Sequence, residues 1–219
     1  MIEIKKLSFS YEKNSPVILK DIDLNIPTGI YLSIVGENGS CKTTLIKLIL
    51  GLLKPNSGSI NIHTDKKSYV PQRLDGFNSQ FPISVFEILK TQGKALGLDS
   101  KKSITDALNK VNMIDFKNSL IGNLSGGQQQ RIFIARALMG DPDLIILDEP
   151  STGVDYKNQL EIYALLGCLN KDCGKTIISV EHNLEMALSY STHILQINDG
   201  TLILKTADDF KKSDYSKEA

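Results

Sequence analysis

Residues 30–53 constrain the chain more than any other stretch. Ile30, Leu32, Ile34 and Val35 form a short apolar run rich in β-branched residues, the pattern of a buried strand. A loop of small and polar residues follows: Gly36-Glu37-Asn38-Gly39-Ser40-Cys41-Lys42-Thr43-Thr44. Leu45 to Leu50 then runs on with helical character and stops near Gly51. Strand, loop, Lys-Thr and helix in this order cradle phosphates. The loop N–H groups point inward, and the helix N-terminus adds about half a positive charge. Lys42 is placed to reach the β- and γ-phosphates, and the Thr43 hydroxyl to take Mg²⁺.

One position departs from the pattern G-x-x-x-x-G-K-[ST], because Cys41 stands where the second glycine belongs. Two readings are open. Either residue 41 has φ < 0 at the helix start and tolerates a Cβ, or the loop is altered and binds nucleotide weakly. A thiol beside Lys42 at a helix N-terminus is also expected to have a lowered pKa. The bland alternative is a strand–turn–helix connection with a chance lysine.

The chain of 219 residues suffices for one sizeable core or two tightly joined subdomains. Basic and acidic residues number 25 each, so the charge gives no case for a nucleic-acid partner. Cys41, Cys168 and Cys173 make no plausible disulfide framework, and a reducing cytosol fits them. The N-terminus lacks a signal-peptide pattern. No run of about 18 uncharged apolar residues exists, so a membrane process would draw its spans from another chain.

Residues 2–11 carry Ile2, Ile4, Leu7, Phe9 and Tyr11, and residues 17–26 carry Val17, Leu19, Ile22, Leu24 and Ile26. Asn14-Ser15-Pro16 is a turn signal between them. These read as antiparallel strands leading into the Ile30 strand. Tyr11 ends the first one, either as a ring for stacking an adenine or as an ordinary strand-end tyrosine. Ser59–Ile62 and Ser68–Val70 read as short strands. His63 reads as a surface residue. Gln72 follows the second, either aimed at a metal or water or simply solvated.

Residues 83–120 read as helices. Ser84 with Glu87 has capping-box spacing, and Ser103 with Asp106 resembles it. A helical block between β-rich segments is naturally a subdomain inserted into an α/β core. Phe77 and Phe81 precede it, and either face a partner groove or seat the insert. Leu124-Ser125-Gly126-Gly127-Gln128 opens a further helix, with capping-box spacing and glycines that let a ligand approach.

Leu144-Ile145-Ile146-Leu147 is a strand buried on both faces, ending in Asp148 and Glu149. Adjacent acids there are costly unless they face a cleft or a cation. Asp148 suits a Mg²⁺ shell. Glu149 suits proton abstraction from an attacking water. The alternative is a pair capping the next helix. Ser151-Thr152-Gly153-Val154-Asp155 turns into that helix. Thr176–Val180 is another buried strand, followed by Glu181-His182-Asn183. His182 would reach a γ-phosphate from the same edge, or is structural. Asn198-Asp199-Gly200 joins a final hairpin. From Lys211 the tail reads as frayed.

In this order the motifs resemble the nucleotide-binding subunits of ABC transporters across essentially the whole chain. Tyr11 is similar to the A-loop, Gly36–Thr44 to Walker A, and Gln72 to the Q-loop. Leu124–Gln128 matches the family signature. Leu144–Glu149 resembles Walker B, Ser151–Asp155 the D-loop, and His182 the switch histidine. The residue before Lys42 and the stretch 70–82 resemble the zinc and manganese importer branch.

The resemblance implies an α/β fold, a P-loop NTPase (RecA-like) core with an N-terminal antiparallel β subdomain and an inserted α-helical subdomain. Residues 1–72 and 138–219 would form the core, and 73–137 the insert. It implies an ATPase using ATP and Mg²⁺, peripheral to the cytoplasmic face of the cell membrane. Glu149, His182, Gln72 and Lys42 would be catalytic. Tyr11, Gly36, Asn38, Gly39, Ser40, Cys41, Lys42, Thr43, Thr44 and, from a second copy, Ser125, Gly126, Gly127 and Gln128 would bind ATP. Thr43, Gln72 and Asp148 would hold Mg²⁺. The implied partners are a permease docking near residues 73–88, a second copy of the chain and, indirectly, an extracytoplasmic solute-binding protein. A soluble ABC-type ATPase acting on ribosomes or DNA is the competing class. This chain carries one cassette and no sustained heptads, which disfavours that class.

Overall fold

The computed structural model describes residues 1–12, 15–72, 82–198 and 200–215. Asn14, Phe77, Phe81 and Asp199 lie outside these. Two sheets organise the molecule. The first is antiparallel, in the order β2-β1-β4, from β1 (Ile2–Phe9), β2 (Leu19–Ile26) and β4 (Ser57–Ile62). The apolar positions of β1 step by three between Ile4 and Leu7, and those of β2 between Leu19 and Ile22. An odd step would turn a regular strand's apolar face outward. The ladder instead bulges there, with Lys6 at φ 45° and Asp21 at φ 51°, so every apolar residue stays inside.

The second sheet has the order β5-β6-β7-β3-β8-β9. It comprises β3 (Tyr31–Val35), β5 (Lys67–Val70), β6 (Leu144–Asp148), β7 (Thr176–Val180), β8 (His193–Asn198) and β9 (Thr201–Thr206). The first five strands in that order run parallel, and β9 returns antiparallel. The continuous apolar runs follow from burial on both faces. In β6, Ile145 and Leu147 join a core shared with the helices, and Leu144 and Ile146 join one shared with β1 and β2.

The helices are α1 (Lys42–Ile49), α2 (Val85–Ala95), α3 (Ser100–Lys110), α4 (Gly126–Leu138), α5 (Tyr156–Lys171), α6 (Leu184–Tyr190) and α7 (Ala207–Tyr215). The Ser84–Glu87 capping box forms in full, as does the one between Ser125 and Gln128. The third expected cap is corrected. Asp99 caps α3, accepting from Lys101 N at 2.9 Å, and Ser103 lies inside the helix with its hydroxyl donating to Asp99 O. A carboxylate four residues earlier offers the free N–H groups a charged acceptor, which outcompetes a hydroxyl. The tail is also not frayed from Lys211. The backbone of α7 continues to Tyr215, anchored by buried Phe210 beside Val35 and Ile194.

No helix among the described residues is long and apolar enough to cross a membrane.

Candidate functional site

Neighbouring strands β5, β6, β7 and β3 all point their C-terminal ends to one edge. That edge receives Gln72, Asp148 with Glu149, Glu181 with His182, and the loop Gly36–Thr44. Parallel sheets place ligands at such edges. Sequence distances of more than a hundred residues collapse into one site.

The loop after β3 is built for close approach. A Cβ on Gly36 would collide with Ile197 O and Ser40 Oγ, so only glycine fits. Ser40 Oγ is buried and bonds to nothing among the described residues. Lys42 is buried and folds over the loop, donating to Gly36 O and Glu37 O at 2.8 Å each. Burial pulls its ammonium pKa down, while Glu149 and Asp148 oppose that shift. These features suit an anion: an orphaned hydroxyl and a lysine holding substitute acceptors.

Cys41 excludes one of the two open readings of its backbone and corrects the expected direction of its thiol pKa. Its φ is +73°, so it sits in the left-handed region that favours glycine, not at φ < 0. The chain turns into α1 at this residue, and the helix start demands that backbone angle whatever side chain is present. Such strain costs about 1–3 kcal/mol. The thiol pKa is raised rather than lowered, because burial pushes it up. Lys42 Nζ is committed to the loop carbonyls, and Cys41 Sγ donates weakly to Gly39 O at 3.6 Å.

Tyr11 stands over the start of α1. Its hydroxyl lies 2.8 Å from Thr44 Oγ1, its ring packs edge-on against Phe9, and it is 61% exposed. Tyr11, residues 38–44, Glu149 and His182 line one cavity of about 340 Å³ together with Ile18. Ile18 is a contact the sequence reading missed. Ile18 stands directly before β2 and lines the cavity with Tyr11.

Asp148 is 2% exposed, and its partners, Thr43 Oγ1 and Tyr69 OH, are each distant at 3.5 Å. Burial pushes its carboxyl pKa up, and the neighbouring Glu149 charge adds to this. A buried carboxylate with two long hydrogen bonds gains from a cation, and Thr43 offers a second oxygen beside it.

Glu149 follows with φ 51°, a left-handed turn that swings its carboxylate out of the strand. Among the described residues, three donors converge on it. His182 Nε2 lies 2.5 Å from Oε1, Gln72 Nε2 donates to Oε2 at 2.5 Å, and Thr152 Oγ1 donates to Oε2 at 3.0 Å. Gln72 therefore sits against Glu149, with its amide nitrogen there. Thr152 was visible only as part of the 151–155 turn, and its bond to Glu149 was not foreseeable from spacing.

Ser125, Gly126, Gly127 and Gln128 form the N-terminus of α4 and do not line this cavity. Gly127 packs so closely on α5 that a Cβ would fall 2.5 Å from Asn158 Cβ.

A phosphate loop, paired acids and a polar strand edge define a P-loop ATPase of the α/β class. The family is equally plain. The ABC transporter family profile matches residues 19–152, and the chain belongs to the ATP-binding subunits of ABC transporters. It is 45% identical to the "Probable metal transport system ATP-binding protein" of Treponema pallidum (strain Nichols), over 90% of this chain and 82% of that one. It is 38% identical to the zinc uptake system ATP-binding protein ZurA of Listeria monocytogenes, over 96% and 88%. The dimeric ATP-binding cassette MJ0796 bound to ADP and Pi superposes with a TM-score of 0.76 at 27% identity, covering 94% of this chain and 99% of that one. The chain is thus an ATPase that binds ATP and powers an ABC transporter.

Proposed function

We propose that Glu149 is the general base of ATP hydrolysis in a subunit that drives import of a divalent metal ion, zinc or manganese. The observation that carries the first half is the convergence of Gln72, Thr152 and His182 on the Glu149 carboxylate at the mouth of the phosphate loop. Lys42, Ser40 and the backbone N–H groups of residues 38–44 bind the phosphates, and the Tyr11 ring stacks on the adenine. Thr43 and Asp148 would hold Mg²⁺, and Gln72, whose amide nitrogen is on Glu149, would lend its remaining amide oxygen. The chemistry a cation held there would supply is positive charge to offset that of the phosphates. Glu149 takes a proton from the attacking water, and His182 and Gln72 orient that carboxylate and the γ-phosphate end.

The α4 tip at Ser125–Gln128 lies outside the chain's own cavity, so a second copy supplies it. Two chains then pack head to tail, each closing the other's ATP site. The dimeric cassette MJ0796 supports this arrangement. The permease docks near residues 73–88 at the cytoplasmic face, and a solute-binding protein delivers the cargo outside. The cargo reading rests on the names of the metal and zinc transport relatives. Reconstitution with the permease tests it. ATP should drive uptake of Zn²⁺ or Mn²⁺ into vesicles, and ATP turnover without uptake of either ion would overturn the cargo assignment.

A further inference from the structure

Behind the site, a buried polar chain ties together the two segments that face Glu149. Glu181 ends β7 next to His182 and is 2% exposed. Its backbone N–H donates to Ile34 O, which fixes it to β3. Its carboxylate accepts from the Ser179 hydroxyl and, at 2.5 Å, from the Tyr163 hydroxyl of α5. Tyr163 OH lies 2.9 Å from Ser151 Oγ, and its ring stacks on Tyr190. Ser151 directly precedes Thr152, which bonds Glu149. On α5, Gln159 also holds this loop by donating to Ser151 O and Val154 O.

A closed circuit results. From Glu149 it runs through His182 to Glu181, across Tyr163 to Ser151, and back through Thr152. Nothing in the chemistry of ATP hydrolysis requires a carboxylate in the core at residue 181. A buried carboxylate is costly and is kept only where its hydrogen bonds hold something in place.

We propose that Tyr163, bonded to Glu181 on one side and Ser151 on the other, is a positioning residue that fixes His182 and Thr152 around Glu149 and thereby sets the turnover rate. This rests on the role of Glu149 proposed above. Tyr163 touches neither ATP nor the attacking water and acts through its neighbours. An ionised Glu181 orders the chain in one direction: Ser151 donates to Tyr163, and Tyr163 donates to Glu181. A protonated Glu181 becomes a donor and releases Tyr163 to turn its own proton toward Ser151. Burial pushes the Glu181 pKa up to about 7, Ser179, Tyr163 and His182 pull it back, and Glu149 adds to the rise. The titratable groups around Glu181 are Tyr31 from β3, Tyr163 from α5, and His182 and Glu149 at the strand ends. The direction of the chain therefore changes near neutral pH.

The test is steady-state ATP hydrolysis by the transporter assembled from Tyr163→Phe, Ser151→Ala, Glu181→Gln and the pair Tyr163→Phe/Glu181→Gln. Ser151→Ala cuts the same chain at its outer end and leaves the core intact. Tyr163→Phe and Ser151→Ala should each lower kcat about tenfold with KM for ATP within about twofold. The double variant should be no slower than its slower single parent, because both cut one circuit. The wild-type kcat should step near pH 7, and Glu181→Gln should lose that step. A merely structural hydroxyl would lower the melting temperature and leave the pH profile alone. Wild-type kcat in both Tyr163→Phe and Ser151→Ala overturns the proposal, as does a Glu181→Gln profile superimposable on wild type. Glu149→Gln is measured in parallel. If it turns over normally, the base assignment has failed rather than the circuit alone.

Discussion

His182 Nε2 lies 2.5 Å from Glu149 Oε1, although 33 residues separate them in sequence. The contact exists because β6 and β7 are neighbours in register, with Asp148 opposite Val180. Glu149, one residue past Asp148, and His182, two residues past Val180, then meet beyond the sheet edge. His182 is 44% exposed and Glu149 12%. The histidine therefore covers the carboxylate from the open side of the cavity. Removing the ring lets the carboxylate rotate away from the phosphate loop. His182→Ala should lower kcat by about ten- to a hundredfold with little change in ATP affinity. Stopped-flow nucleotide binding beside steady-state turnover measures both.

Glu181 makes stability depend on pH. Its folded pKa, about 7, lies above the ordinary value of 4.5. Below about pH 4.5 both folded and unfolded chains hold the proton, and its stabilising contribution is fully present. As pH rises from there to 7, the unfolded chain has released a proton that the folded chain keeps. Stability is lost across that window, by about 3 kcal/mol in all. Glu181→Gln should flatten this component. Urea melts of both proteins from pH 5 to pH 8 should diverge, with wild type losing more stability. Parallel curves would contradict the burial argument.

Cys41 sits in the phosphate cradle with its thiol pKa raised by burial. Cys168 and Cys173 are exposed. A maleimide at pH 7 should therefore modify Cys41 last, faster as pH rises toward 9, because the thiolate is the nucleophile. ATP should slow that reaction, and full modification should abolish turnover. Mass spectrometry of the labelled peptides alongside activity measures this. Complete labelling of Cys41 with unchanged ATPase would remove it from the cradle.

Gly127 lies on α4 where that helix meets α5. Alanine would gain about 1 kcal/mol of helix propensity at an unconstrained position. Here its Cβ would sit 2.5 Å from Asn158 Cβ, close to the backbone of α5. Asn158 cannot swing away cheaply, since Asp155 holds its amide at 2.6 Å and Arg131 donates to its oxygen at 3.2 Å. Overpacking costs about 1–3 kcal/mol and wins. Gly127→Ala should melt at lower urea than wild type.

The strands, the two capping boxes and the site segments were legible because local pattern and tertiary need agree there. Apolar runs announce two-sided burial, and Ser84-x-x-Glu87 announces a cap whatever packs beyond it. Three features were not legible, each for a physical reason. The backbone angle of Cys41 is imposed by the turn into α1, and a non-glycine residue conceals it. The cap of α3 passes to Asp99 because a charged acceptor wins over Ser103, a contest spacing alone does not reveal. The link from Glu181 to Tyr163 joins β7 to α5, and no periodicity in the sequence records which helix packs behind a strand end. One sign was available: Glu181 follows five buried residues, as Asp148 ends another buried run. An acid in that position is expensive enough to demand a partner.

Glu149→Gln tests the central claim most directly, with ATP turnover and association measured on the same preparation. The amide keeps the shape of the side chain and cannot take a proton from water. Turnover should fall by about a hundredfold or more, while ATP binding persists and sedimentation shows an ATP-dependent dimer. Turnover near the wild-type rate would contradict the account.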